Sequence, residues 1–201
     1  MRILRPWIRS ILLLVSASLF QVAQSLTTGR LRLRRWRPSD RQPFQALNAD
    51  ARVMEFLPGL LSPQQSDDLI DRIEQHFDCN GFGLFAAELI AEETLIGFIG
   101  LSIPNYEAPF MPTVEIGWRL AADQWGPGLA TEGARAVVHH AFNTLQLPSL
   151  VSFTVAENQR SRRVMEKLGM THDLSDDFDH PILSEGHPLR RHVLYCLQHE
   201  Q

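Results

Sequence analysis

Cysteine is scarce in this chain: Cys79 and Cys196 are the two among 201 residues. Two isolated thiols do not make a disulfide framework, and their separation fits no zinc-binding spacing, so a reducing compartment is the simpler setting and no metal site is expected. A basic surplus is missing as well. Nineteen Lys and Arg stand against 23 Asp and Glu, for a net charge of −4 and a pI near 6.0. Nucleic-acid-binding domains usually carry a basic face, so that class is set aside. There is no bilayer-length apolar run near the start: the stretch from Ser10 to Phe20 is shorter than the ~20 residues a spanning helix needs. Stable membrane insertion is therefore not expected. Repeats, low-complexity tracts and internal linkers are absent too. What is present, 44% hydrophobic and 21% charged residues, suits one domain with a substantial core.

Residues 1–25 read "MRILRPWIRSILLLVSASLFQVAQS". Arg2, Arg5 and Arg9 precede the apolar run, and small residues follow at Ala23 and Ser25, which is the pattern of a secretory signal peptide. The competing reading is an extension upstream of the working protein. No methionine lies between Met1 and Met54, so a start at a non-AUG codon near Val22 or Leu26 stays open. The working domain is expected over residues 26–201.

Within that domain, Leu31 and Leu33 alternate with arginines, a period-2 strand pattern. Pro38, Ser39 and Asp40 stop it and open a helix through Leu47. Ser62 and Pro63 stand as cap and first helical position before Leu69, Ile70, Ile73 and Phe77 at helical spacing. Phe82 to Leu89 and Thr94 to Ile103 form an expected hairpin across an acidic turn, Ala91 to Glu93. "TVEIGWRLA" is a third strand. A helix runs from Gly128 to about Leu145, then come strand "LVSFTVA", a helix from about Asn158 to Gly169, and a last strand "RRHVLYCL". Such an order predicts a mixed sheet covered by helices.

Three stretches carry candidate chemistry. In "DQWGPGLATEG", Gly126 and Gly128 precede a helix, whose first N–H groups lack partners and whose dipole favours an anion. The turn is a phosphate cradle or a plain helix start. Asn158 opens a helix and is an N-cap by residue type. Glu115 interrupts an apolar strand, on the face opposite Val114 and Ile116. It is either a solvated strand residue or a proton acceptor.

The blocks "EIGW", "WGPGLATE" and "ENQRSRRVMEKLGM", in this order and spacing, resemble the GNAT superfamily of acetyl-CoA-dependent N-acetyltransferases. More narrowly, they resemble the branch of the ribosomal-protein N-terminal acetyltransferases (RimJ/RimL-like). The resemblance runs from about Leu26 to Gln198. It implies a single-domain GNAT fold of mixed α/β (α+β) class, a mostly antiparallel twisted sheet flanked by helices. It also implies acetyl-CoA as cosubstrate. The coenzyme A pyrophosphate would lie on Trp125, Gly126, Gly128 and the helix start Leu129, Ala130 and Thr131. The backbone of Trp118, Arg119 and Leu120 would take the cofactor arm and polarise the thioester carbonyl, with Gly117 permitting close approach, and Asn158 would contact the pantetheine. Glu115 would be the base. Many relatives place a tyrosine acid further along the last long helix; Met165 lies in that region here, so Ser161 is the candidate beside the leaving sulfur. Two departures stand out. Trp125 replaces a frequent Gln or Arg, and Pro127, which has no N–H, replaces a frequently basic residue.

The acidic stretch "DLSDDFDHP" holds Asp173, Asp176, Asp177 and Asp179 beside His180. A solvated loop is one reading. Steering of an ammonium-bearing substrate is the other, with Asp177, Asp179 and His180 as substrate contacts and His180 as a secondary base. The resulting expectation is acetyl transfer to a primary amine, either a protein N-terminal α-amine or a small molecule, by direct attack in a ternary complex. The alternative is a non-catalytic acyl-CoA-sensing module. The protein is expected as a monomer or homodimer in the cytoplasm, where acetyl-CoA is available.

Overall fold

A computed structural model describes residues 25–199. The expectation for the N-terminal extension lies outside the described residues, except Ser25, which opens the first strand. In chain order the elements are β1 (Ser25–Thr27), β2 (Leu31–Arg34), α1 (Arg41–Asn48), α2 (Ala51–Met54), α3 (Pro63–Asn80), β3 (Leu84–Leu89), β4 (Thr94–Ser102) and β5 (Glu115–Leu120). These are followed by α4 (Leu129–Asn143), β6 (Ser149–Val155), α5 (Gln159–Lys167), β7 (Thr171–His172), β8 (Phe178–Asp179) and β9 (Arg191–Gln198). Among the described residues the strands form one sheet, β1-β2-β3-β4-β5-β6-β9-β7, with β8 also paired to β9. Every pairing is antiparallel except β5 with β6.

Local chemistry explains the boundaries. Ser62 accepts from the Gln65 N–H and Gln65 Oε1 accepts from the Ser62 N–H, a capping box that starts α3 directly before Pro63. Helices cover both faces of the sheet. Phe98 on β4 meets Phe44 of α1, with ring centroids 6.2 Å apart. Its neighbour Ile99 points the other way, against Gly133 of α4, where a Cβ would collide with it. Leu31, Leu33, Phe44, Phe77, Ile99 and Ile116 are wholly buried between these layers.

Arginine at the second strand is less solvated than alternation suggests. Arg34 is buried and makes two bonds to Asp40, at 2.6 and 2.9 Å, and one to Glu88 at 2.8 Å. Glu88 is itself buried and also pairs with Arg32. The entry to α1 is thereby tied to β2 and β3. No helix among the described residues is long and apolar enough to cross a membrane.

One seam in the sheet creates the site. β5 and β6 share a single ladder position, Glu115 with Val151, supported by the Val151 N–H bonding to Val114 O at 3.0 Å. Beyond it, Gly117 to Leu120 and Ser152 to Thr154 face a cavity from opposite sides.

Candidate active site

The cavity has a volume of about 610 Å³. Of the residues expected as functional, Glu115, Ser161, Trp118, Arg119, Leu120 and Asn158 line it. So do Trp125, Gly126, Gly128, Leu129, Ala130 and Thr131. The structure thus brings together segments from β5, the following turn, α4 and α5.

The turn has the backbone that its residues suggested. Gly126 (φ 100°) and Gly128 (φ 86°) are both in the left-handed region, and a Cβ at either would meet nothing within 4 Å. The first intrahelical bond of α4 runs from the Glu132 N–H to Gly128 O. The N–H groups of Leu129, Ala130 and Thr131 are therefore left without helix partners, and all three residues line the cavity. Pro127 does not line it; its carbonyl accepts from Arg30 Nη1 at 3.1 Å. Arg30 in turn is paired with Glu132 at 2.6 Å.

Positive charge reaches the turn from α5 instead. Arg160, Arg163 and Lys167 line the cavity and recur at helical spacing. The Arg160 guanidinium lies 4.4 Å from the Trp125 ring centroid and 5.7 Å from that of Phe56, and it bonds to Glu55 at 2.6 Å. Trp125 is fixed by its own Nε1–H bond to Leu120 O at 2.9 Å. Its ring seats a cation that reaches the turn from α5. The i, i+3, i+7 pattern of these bases was present in the sequence; the contact with Phe56 was not.

Glu115 is half-buried in the cavity wall rather than free in solvent. Its carboxyl has been pushed up to about 7 by burial, partly offset by the Ser102 hydroxyl donating to Oε2 at 3.4 Å. Gly117, two residues on, leaves open space beside it: a Cβ there would meet only Glu115 Oε1, at 3.8 Å. A group with this pKa is half-ionised near neutrality, as a general base should be.

Asn158 is both cap and anchor. Its Oδ1 accepts from the Ser161 N–H at 3.2 Å, while Nδ2 donates to Thr154 Oγ1 at 3.0 Å and to Ser161 Oγ at 3.2 Å. Ser161 Oγ is thus an acceptor from the protein, and its own O–H has no acceptor among the described residues.

The acidic stretch divides. His180 lines the cavity; Asp177 and Asp179, expected beside it as substrate contacts, are not among the lining residues. Asp177 bonds to His172 Nε2 at 2.7 Å, and Asp179 lies near Arg190 and Arg191 at 3.6 and 3.5 Å. Asp177 is thus taken up by a histidine five residues away, and Asp179 lies beside arginines that follow it by 11 and 12 residues. His192, unassigned from sequence, lines the cavity beside His180, with ring centroids 5.0 Å apart. Burial lowers the pKa of both imidazoles, and each is further disfavoured or held by its neighbours: His192 acts on His180, and the Arg190 carbonyl meets His192. Among the described residues, no three His, Cys, Asp or Glu side chains are grouped to hold a metal.

Comparison with known proteins gives a consistent picture. Residues 30–171 match the family model of the acetyltransferase (GNAT) domain. The chain is 31% identical over 156 residues to the FsC-acetyl coenzyme A-N(2)-transacetylase of Aspergillus fumigatus, covering 74% of this chain and 65% of that protein. In structure it is similar to a GNAT-family acetyltransferase from Bacillus anthracis, with a TM-score of 0.72 and 24% identity over 88% of this chain and 99% of that one. It also resembles Mycobacterium smegmatis RimJ, solved with CoA-disulfide, with a TM-score of 0.68 and 19% identity over 87% of this chain and 85% of that one.

Proposed function

The chain belongs to the GNAT acetyltransferase family, and from that premise we propose that it moves an acetyl group from acetyl-CoA to a primary amine, with Glu115 as the base. The observation that carries this reading is the Glu115 carboxyl, raised to about 7 in the same cavity as the glycine turn. Family relatives use acetyl-CoA, and the RimJ structure holds a coenzyme A derivative. The residues here fit that group: unpaired N–H donors at Leu129 to Thr131, permissive glycines, and cations at Arg160, Arg163 and Lys167. Acetyl-CoA supplies the activated acyl carbon.

The protein's part follows from its geometry. Glu115 takes one proton from the attacking ammonium or amine, directly or through a water, so that the nitrogen lone pair is free to form the N–C bond. Backbone N–H groups of the Trp118 to Leu120 segment stabilise negative charge on the carbonyl oxygen. As the C–S bond breaks, the sulfur gains a proton through the Ser161 hydroxyl, which regains one from the nitrogen of the tetrahedral adduct or from solvent; Ser161 Oγ is held by Asn158. The products are an acetamide and free thiol. The closed orientation of both reactants, rather than a covalent enzyme intermediate, supplies the rate advantage. Neither Cys79 nor Cys196 lines the cavity, and burial raises the pKa of the Cys196 thiol, so no thiol is placed to act as the nucleophile.

The acceptor class is an amine on a small molecule or a protein N-terminus, and the site of action is the cytoplasm. The deciding experiment measures thiol release from acetyl-CoA against a panel of amines that includes ribosomal-protein N-terminal peptides. Turnover with at least one member is expected. Coenzyme A binding with no thiol release across the panel would instead mark a sensing module.

A further inference from the structure

Arg119 carries a charge that the protein leaves unanswered. Glu115, Gly117 and Arg119 alternate onto one face of β5. Across the ladder they oppose Ser102, Gly100 and Phe98. Because Gly117 adds no side chain, this face presents a carboxylate, an open step and a guanidinium in succession. At ~3.3 Å per residue the first and last Cα atoms are roughly 13 Å apart. All three residues line the cavity.

The guanidinium is held in place from one side. Nη1 donates to Asn48 Oδ1 at 2.6 Å, and Asn48 Nδ2 donates to Ser66 Oγ at 2.9 Å. Asn48 and Ser66 are completely buried, so this support is fixed by the packing of α1 and α3. The Arg119 carbon Cζ lies 5.3 Å from the Phe98 ring centroid. Nε and Nη2 make no hydrogen bond to any described residue, and no carboxylate pairs with Arg119 among the described residues. Other arginines here do find acids: Arg34 pairs with Asp40, Arg35 with Glu74, Arg160 with Glu55. Desolvation draws Arg119 down to about 10, which still leaves it charged at neutral pH. A half-buried cation that lines a cavity and has no counter-ion among the described residues is a natural partner for an anionic ligand.

We propose that Arg119 sets acceptor specificity and that the acetylated amine also carries a carboxylate, held by the Nε–Nη2 edge through two parallel N–H···O bonds. The inference rests on the acetyl-transfer reading of the same cavity and narrows its substrate. The acceptor is bound by both ends, its amine toward Glu115 and its acid toward Arg119. It also replaces the steering of a cation by Asp177 and Asp179, which lie off the cavity wall.

The test is thiol release with a ladder of straight-chain ω-amino acids, each compared with its own carboxamide, which keeps the amine and removes the charge. For the best-fitting members, kcat/KM is expected to be at least about tenfold higher for the acid, mostly through KM, because a site built for a hydrogen-bonded ion discriminates against its neutral analogue. Arg119→Gln removes the preference, and Arg119→Lys restores part of it. Equal kcat/KM for acids and amides in the unaltered enzyme overturns the proposal whatever the variants do. So does an Arg119→Gln protein that loses acids and amides alike while still binding coenzyme A, since Arg119 would then be only a prop for Asn48. Failure of the transfer reading looks different: no amine releases thiol. Calorimetric titration of the coenzyme A complex with the same acids and amides then decides. Binding of acids that Arg119→Gln abolishes sustains the carboxylate subsite; absence of such binding overturns it.

Discussion

Glu115, the proposed base, would couple catalysis to stability through one proton. Its pKa in the fold is about 7 against an ordinary 4.5, so the folded state binds that proton more tightly than the unfolded one. Below pH 4.5 both states hold it and no effect remains. Between pH 4.5 and 7 stability falls as pH rises, and above that window the ionised carboxylate costs the fold about 3 kcal/mol. Glu115→Gln keeps the shape without the charge. It should therefore melt higher than the natural protein above pH 7 and match it below pH 4.5, as thermal unfolding across pH would show. The same substitution should lower kcat by about a hundredfold or more and remove the inflection near pH 7 from the pH–rate profile. A retained inflection would assign it to a group other than Glu115. At this scale the sequence was partly legible. A carboxylate interrupting an apolar strand, and glycines before a helix, announce themselves because their local context is abnormal. Arg119 and the acidic stretch do not: whether a charge is paired depends on residues such as Asn48 and Arg190, which only the fold brings near.

Among the elements, β4 and α5 do most to shape the site. Gly97 on β4 has φ 137° and sits opposite Leu120, with the carbonyl and Cα of Arg119 and Leu120 packed where a Cβ would go. Backbone atoms cannot step aside as a side-chain tip can. Gly97→Ala should therefore cost about 2–4 kcal/mol in urea unfolding and, by displacing the end of β5, weaken coenzyme A binding as well. On α5, Arg160→Ala removes the cation seated on Trp125 and should raise the Kd for coenzyme A by about three- to tenfold at low salt, with a smaller effect at high salt. An unchanged Kd would mean that Arg160 only braces Glu55. The long elements were readable from periodicity and caps, as Ser62 and Gln65 illustrate for α3. The positions of the two-residue strands β7 and β8 were not, because pairing to β9 rather than any local pattern makes them strands.

For the molecule as a whole, the order of elements pointed to a mixed sheet covered by helices, and the sheet is mixed through one parallel pairing. The sparsity of that pairing has no sequence signature, since it records where two strands stop touching. β1 to β5 and β6 to β9 are joined by one rung, Glu115 with Val151, together with side chains of a shared core such as Ile116 and Leu150. The connection between α4 and β6, residues 144–148, crosses this seam. The molecule is thus divisible in a way that a continuous ladder would forbid. Cleaved within 144–148, the chain should yield two fragments that reassociate through core packing, the single rung and the Arg160–Glu55 pair, and coenzyme A, whose proposed site draws residues from both, should act as a clasp that tightens their pairing. Fragment association equally strong with and without the ligand would show that it is held by one piece only.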